Sequence, residues 1–313
     1  MRKIIIGVLF FVVIAYFGIG FYVYGESVAV PCSIVESEKD NRPDNFSLGE
    51  KADWDPSKYF VQDYETVLIN TNDGVVLSGW WMETDKNAPT VIGLHGVTSG
   101  KHSPDVLLVG GMLVSEGFNY LTFDFRDHGE STCEDGVHSA GQKEIYDVKA
   151  AIDWLVNEKN IPSNKIGIHG SSFGAMVALM AQYASDDISA LSIVDTPFDF
   201  ATLVREELIY QGFPPFLYEP VNHYALLFEG IDITEVSPED GVSKGKNPMI
   251  IFNGVKSDRV LSHHTDDLIN AGNQYSIEML VNRYPELSHT EVMFMYPDEF
   301  LNKIVPFFKE KLN

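Results

Sequence analysis

A chain of 313 residues with 45% apolar and 21% charged residues can bury one large core or two modest ones, which excludes general disorder. Its 45 acidic residues against 22 basic ones give a formal charge of -23, which favours solubility and repels polyanions. That balance argues against nucleic acid or an anionic bilayer surface as a partner.

The N-terminus departs from this composition. Residues 4–24 are an uncharged apolar run, long enough to cross a hydrocarbon core of about 30 Å as one helix. The run outlasts the apolar core of a cleaved signal peptide, and GESVAVPCS behind it offers a poor cleavage site, so residues 1–25 are expected to be a retained single-pass anchor. Arg2 and Lys3 before the span and an acid-rich segment after it favour a cytoplasmic N-terminus, with the rest on the extracytoplasmic side. Residues 26–60 are polar and broken by Pro31, Pro43 and Pro56, which reads as a linker or stalk. The two cysteines, Cys32 and Cys133, could pair in an exported domain, but their spacing leaves pairing open.

Regular structure is expected from about residue 61 to 313. YETVLINT (64–71), Asn72-Asp73-Gly74 and VVLSGWWME (75–83) read as a β-hairpin, with Trp80 and Trp81 packing on opposite faces. Strands then alternate with helices: APTVIGLHG, a helix near 104–117, YLTFDF, a helix over 142–158, KIGIHG, a helix over 172–184, and ALSIVD. That rhythm predicts an α/β fold whose mostly parallel sheet is covered by helices on both faces. Within 142–158, Ile145, Val148, Ile152 and Leu155 form one stripe, and Glu144, Asp147, Lys149 and Asp153 lie off it. The rhythm breaks over 196–246, where FPPFLYEPVNHYALLFEG is aromatic and proline-rich, and this insertion reads as a small cap over the carboxyl ends of the strands. It resumes with PMIIFNG, a helix near 263–271, YSIEMLV and a final helix from about Asp298.

The chemistry concentrates at Gly170-Ser171-Ser172-Phe173-Gly174. A nucleophile elbow sets its serine on a strained strand-to-helix turn, so the residues two before and two after it must be nearly free of side chain. Ser172 has glycines at both positions, whereas Ser171 would have His169 and Phe173. Ser172 is therefore the candidate nucleophile, and in this strand-to-helix context it needs a base further along the chain. Among the downstream histidines, His289 lies in the loop between the last strand and last helix, at the same sheet edge as the elbow. The acid has two candidates, Asp258 after the penultimate strand and Asp195 after ALSIV; Asp258 is favoured because Asp195 runs straight into the cap. Backbone N–H groups of Phe173 and Val97 are the expected oxyanion donors, and His95 is expected to be structural.

With LHG (94–96), DFRDHGES (124–131), GSSFG (170–174), NGVKSDRV (253–260) and SHT (288–290) in this order, the chain from about 61 to 313 resembles the α/β-hydrolase superfamily. Asp127 stands where the D-x-R-G-H-G-x-S loop usually has glycine, and the acid loop is one residue longer than the common G-x-x-D. The small insertion is most similar to compact-cap members described as acyl esterases, lipases or dipeptidyl-peptidase-like hydrolases. The resemblance implies a serine hydrolase acting on a small-molecule acyl ester with no cofactor; the N-terminal run makes it membrane-anchored, and the aromatic, proline-rich cap and the tether suggest an apolar or lipid-like ester. A hydrolase-fold binding protein without turnover, a peptidase and a thioesterase stand as alternatives. His263-His264 with Asp266-Asp267 raises a metalloenzyme, but adjacent helical residues diverge and the sequence offers no obvious third ligand.

Overall fold

The computed structural model of the protein describes residues 2–30 and 32–312. Met1, Pro31 and Asn313 lie outside the described residues, and with them the outer ends of the expected anchor and domain and one stalk proline. The first helix, α1 (Arg2–Val28), carries the apolar run; it is long and apolar enough to cross a membrane, with mean hydropathy 2.7. Its first half is exposed along Ile4–Ile14, and its second half packs on the domain.

Eight strands form one sheet: β1 (Glu65–Asn70), β2 (Val76–Met82), β3 (Thr90–Leu94), β4 (Asn119–Phe123), β5 (Ile166–Ser171), β6 (Ala190–Val194), β7 (Met249–Gly254) and β8 (Met279–Tyr284). Their order is β1-β2-β4-β3-β5-β6-β7-β8, antiparallel at β1/β2 and β2/β4 and parallel from β4 onward. In the β1–β2 hairpin Gly74 takes the positive φ, 95°. The central strands are buried on both faces, which is why TVIGL and ALSIV read as unbroken apolar runs rather than alternating ones.

The helices are α2 (Pro104–Ser115), α3 (Glu144–Asn157), α4 (Phe173–Ala184), α5 (Phe200–Tyr210), α6 (Tyr218–Tyr224), α7 (Pro238–Gly245), α8 (His263–Gln274), α9 (Val292–Met295) and α10 (Pro297–Lys311). Trp81 joins Ile168, Ile193 and the apolar faces of α3, α4 and α8 in one core. Trp80 joins Tyr120, Phe252 and the faces of α2, α9 and α10 in the other, so the adjacent tryptophans do face opposite layers. The stripe Ile145, Val148, Ile152 and Leu155 is buried as its spacing predicts. Glu144 and Asp147 are buried too, against their reading as off-stripe polar residues. Asp147 receives Arg126, whose Nη2 lies 2.7 Å from Oδ1, and Glu144 receives the Ser139 N–H and hydroxyl.

Two stretches behave differently from their composition. Residues 26–60 lie along the domain rather than spacing it away: Ala29 bridges Val137, Asn41 Nδ2 donates to His102 O at 3.1 Å, and Phe46, Leu48 and Tyr59 enter the second core. Cys32 and Cys133 form a disulfide with Cα atoms 5.4 Å apart, closing a sequence separation of 101 residues. Within the β6–β7 insertion, α5, the 3-10 turn Pro215–Leu217, α6 and the π-helical turn Ala225–Glu229 pack together as the cap. Helix α7 packs on α4, with Gly241 against the Leu179 carbonyl, and supplies the crossover that parallel β6 and β7 require.

Candidate active site

The turn between β5 and α4 places Ser172 at φ 55° and ψ -120°, a conformation a side-chain-bearing residue keeps only under compulsion from its surroundings. The compulsion is steric. A Cβ on Gly170 would lie 2.5 Å from the Gly174 carbonyl oxygen, and one on Gly174 would lie 2.6 Å from the His95 carbonyl oxygen. The Ser172 N–H donates to Val194 O at 2.9 Å, pinning the elbow to β6. Ser171 is buried, and its hydroxyl has no hydrogen-bond partner among the described residues.

His289, in the loop between β8 and α9, brings Nε2 to 2.9 Å from Ser172 Oγ across 117 residues of sequence. Burial pushes its pKa down to about 4, and the charges of Lys51 and Arg259 act in the same direction while Asp258 opposes them. The imidazole is therefore neutral near pH 7 and able to accept the serine proton.

The other ring nitrogen meets a group that sequence reasoning missed. Ser257 Oγ lies 3.3 Å from His289 Nδ1 and also accepts the Val260 N–H at 3.1 Å. Asp258, the next residue, is exposed and makes no hydrogen bond to His289 among the described residues; it reaches the ring through its charge alone. Asp195 is buried at the end of β6. Its Oδ2 accepts the Thr290 N–H at 2.7 Å, and its Oδ1 accepts the Gly254 N–H at 2.8 Å and Asn253 Nδ2 at 3.1 Å. It thus ties the His289 loop to the end of β7, and burial raises its pKa to about 6 against the pull of those donors. The extra residue in Gly254-Val255-Lys256-Ser257-Asp258 was the available signal: it puts Ser257 where G-x-x-D would have its carboxylate.

Phe173 is the first residue of α4, where a helix leaves its N–H without an intrahelical acceptor. The loop after β3 abuts this elbow through the Leu94 and His95 carbonyls that crowd Gly174, which brings Val97 to the same corner. His128 Nε2 lies 2.6 Å from Val97 O and holds that peptide in place. His95 is structural as expected. It accepts the Phe125 N–H at Nε2 (3.0 Å), sits 2.7 Å from Gly96 O at Nδ1, and burial pushes its pKa down to about 3.

The loop after β4 is braced by buried charge. Asp124 accepts Lys101 Nζ at 2.6 Å, the Lys101 N–H at 2.7 Å and the Glu130 N–H at 2.9 Å. Asp127 keeps the left-handed backbone of the glycine it replaces, at φ 62°. Its Oδ1 then accepts the N–H groups of Glu134, Asp135 and Gly136 at 2.6 to 3.0 Å, so the side chain organises the loop that carries Cys133.

The His263-His264 pair does find a third group, and it comes from the cap: Glu206 of α5 lies 2.5 Å from His263 Nε2 and 3.1 Å from His264 Nε2. His264 Nδ1 accepts the Phe198 N–H at 3.2 Å, which leaves the ring proton on Nε2, directed at Glu206. A ring so committed donates to the carboxylate and has no lone pair there for a cation. The trio clamps the cap to α8, while Asp266 pairs with Arg283 outside it.

The fold and this constellation define a serine hydrolase of the α/β-hydrolase class. The prolyl oligopeptidase family model matches residues 109–313, about two thirds of the chain, and the protein belongs to that family. It is 27% identical over 241 residues to the uncharacterized protein YqkD of Bacillus subtilis, covering 75% of this chain and 73% of that one. It is 25% identical over 174 residues to protein bem46 of Schizosaccharomyces pombe, covering 54% and 56%. Among solved structures, the Pyrococcus furiosus esterase Pf2001 aligns with TM-score 0.66 and 26% identity over 87% of this chain and all of that one. The acylaminoacyl peptidase of Pyrococcus horikoshii shares the fold at TM-score 0.62 and 16% identity, with 42% of its chain covered.

Proposed function

We propose that the protein is a membrane-anchored carboxylic ester hydrolase that acts on an apolar or lipid-like acyl ester through an acyl-enzyme. Ser172 attacks the acyl carbonyl as His289 Nε2 takes its proton, and the tetrahedral oxyanion falls to the N–H groups of Phe173 and Val97. His289 then donates the proton to the leaving alkoxide. Water, deprotonated by the same imidazole, attacks the acyl-serine, and the imidazolium returns that proton to Ser172 Oγ as the acid leaves. Asp258 is the acid of the triad, acting by its negative charge on the imidazolium, with the Ser257 hydroxyl holding Nδ1. The observation that carries the reading is the 2.9 Å contact between His289 Nε2 and Ser172 Oγ on a strained elbow. Residues 4–24 would span the bilayer, and the Cys32–Cys133 disulfide supports an oxidising, extracytoplasmic side for the domain.

The full-length protein in detergent should react with a fluorophosphonate probe, and Ser172→Ala should abolish labelling; labelling retained in that variant would overturn the assignment. Family membership favours a peptidase as the second reading. Turnover of peptide amides at Ser172 with none of acyl esters would establish it instead.

A further inference from the structure

We propose that the cap is itself a membrane-inserted element: the face formed by Phe213, Phe216, Leu226, Leu227 and Phe228 docks into the acyl-chain boundary of the leaflet that the anchor exits. This rests on the reading of residues 4–24 as a transmembrane span.

The cap does not hang free of the anchor. Gly20 of α1 lies against the backbone of Pro220 in α6, so close that a Cβ there would collide with the Pro220 carbonyl oxygen. Around that crossing, Phe17 meets Phe228 with ring centroids 5.3 Å apart, Phe21 meets Tyr224 at 5.6 Å, and Tyr24 meets Tyr224 at 5.4 Å. Tyr16 hydroxyl and His223 Nδ1, 2.6 Å apart, partner each other at the deepest contact. Val23, Tyr24 and Val28 share a buried cluster with Leu208, Tyr218, Val221 and Ala225.

These contacts set a depth. With 1.5 Å of rise per residue, Phe17 lies about 10 Å below Tyr24, the last residue of the apolar run, and Phe228 lies beside it. Such immersion matches the roughly 5–10 Å by which interfacial apolar faces enter a leaflet. At that level Phe228 is 60% exposed, as is its neighbour Leu227 at 64%, and Phe216, in the turn Pro215–Leu217 that also packs on α1, is 69% exposed. Exposed large apolar side chains gathered beside one helix mark an interaction surface in a soluble domain, and here α1 leaves its own Ile19 and Phe21 exposed beside the cap. The nearby Glu219 is paired with Arg205 at 3.3 Å. The formal charge of -23 gives no electrostatic attraction to anionic lipid, so docking proceeds by apolar burial.

Both native cysteines are paired, so single cysteines can be labelled selectively in the full chain. Leu227→Cys, Val8→Cys in the anchor and Tyr146→Cys at an exposed position of α3 are each given an environment-sensitive fluorophore and reconstituted in phosphatidylcholine nanodiscs. Spin-labelled phosphatidylcholine should quench the labels at 8 and 227 but not that at 146, with no change in high salt. Lipid quenching at 8 together with iodide quenching at 227 would overturn the docking and leave the anchor standing. Protection at 227 from both quenchers in a dimeric protein would overturn it in favour of a second copy of the chain. Absence of lipid quenching at 8 would remove the anchor itself and the proposal with it. Leu227→Asp/Phe228→Asp should retain hydrolysis of a water-soluble ester and lose at least about tenfold on an ester dispersed in the bilayer; equal loss on both would count against docking.

Discussion

Two loops converge on His289, and they are constrained in opposite ways. At the elbow, backbone packs on backbone: Gly170 and Gly174 sit within van der Waals exclusion of neighbouring carbonyls, and Ser172 can occupy only one position. In the loop after β7 the contact to the imidazole is made by a side chain, Ser257, with a carboxylate one residue further out. A constraint imposed by main-chain sterics admits one residue type, whereas a hydrogen bond to Nδ1 can come from a hydroxyl or a carboxylate on either of two adjacent residues. On the proposed reading, the nucleophile is fixed by its neighbours, while the third member of the triad is free to be divided between an orienting hydroxyl and a remote charge.

Substitutions can break this contrast, beginning where the effect is largest. Ser172→Ala should lower kcat on an acyl ester by at least about 10⁴-fold with the fold intact by circular dichroism. Asp258→Asn should cost on the order of 10²-fold in kcat/KM, measured on the same ester; if Asp195→Asn did so at unchanged stability while Asp258→Asn did not, the acid would be Asp195. Ser257→Ala should lose only about tenfold, and Ser257→Asp should recover activity in an Asp258→Asn background, because a carboxylate at 257 would reach Nδ1 directly. Gly174→Ala tests the steric half: chemical denaturation should show a loss of roughly 1–3 kcal/mol, accompanied by loss of fluorophosphonate labelling.

The smallest effect is on pH. The imidazole must be neutral to act as base, and its pKa is held near 4, so kcat/KM should be flat through neutrality and fall as the pH drops below about 5. Because Asp258 raises that pKa, Asp258→Asn should move the acid limb to lower pH. A limb that stayed in place would separate Asp258 from the histidine. A limb near pH 6.5 would instead indicate a solvated imidazole.

The alternation of strand and helix, the opposed tryptophans and the elbow were legible because each depends on local period or local sterics. Trp80 and Trp81 separate to two cores by strand parity alone. His289 was legible through chain order and sheet edge. Ser257 was hidden because its role follows from one residue of loop length, which shifts a side chain without changing the motif around it. The partner of His263 and His264 was hidden for another reason: Glu206 lies 57 residues upstream of His263, in a cap whose packing has no period. Residues 26–60 read as a spacer from their prolines and polarity, yet the few apolar residues among them, Phe46, Leu48 and Tyr59, suffice to lay the segment on the domain. Composition averaged over a window conceals three well-placed side chains.

The disulfide between Cys32 and Cys133 joins the chain just beyond α1 to the loop that Asp127 organises, and the Ala29–Val137 bridge lies beside it. On the proposed reading of residues 4–24 as a membrane anchor, this removes the swivel that a flexible leash would give. A domain on a leash samples substrate from solution over a hemisphere of orientations; a domain pinned at its root presents one mouth at one height. Its turnover would then follow the mole fraction of ester within the leaflet rather than bulk concentration, and diluting the substrate with inert lipid would slow it as effectively as removing enzyme.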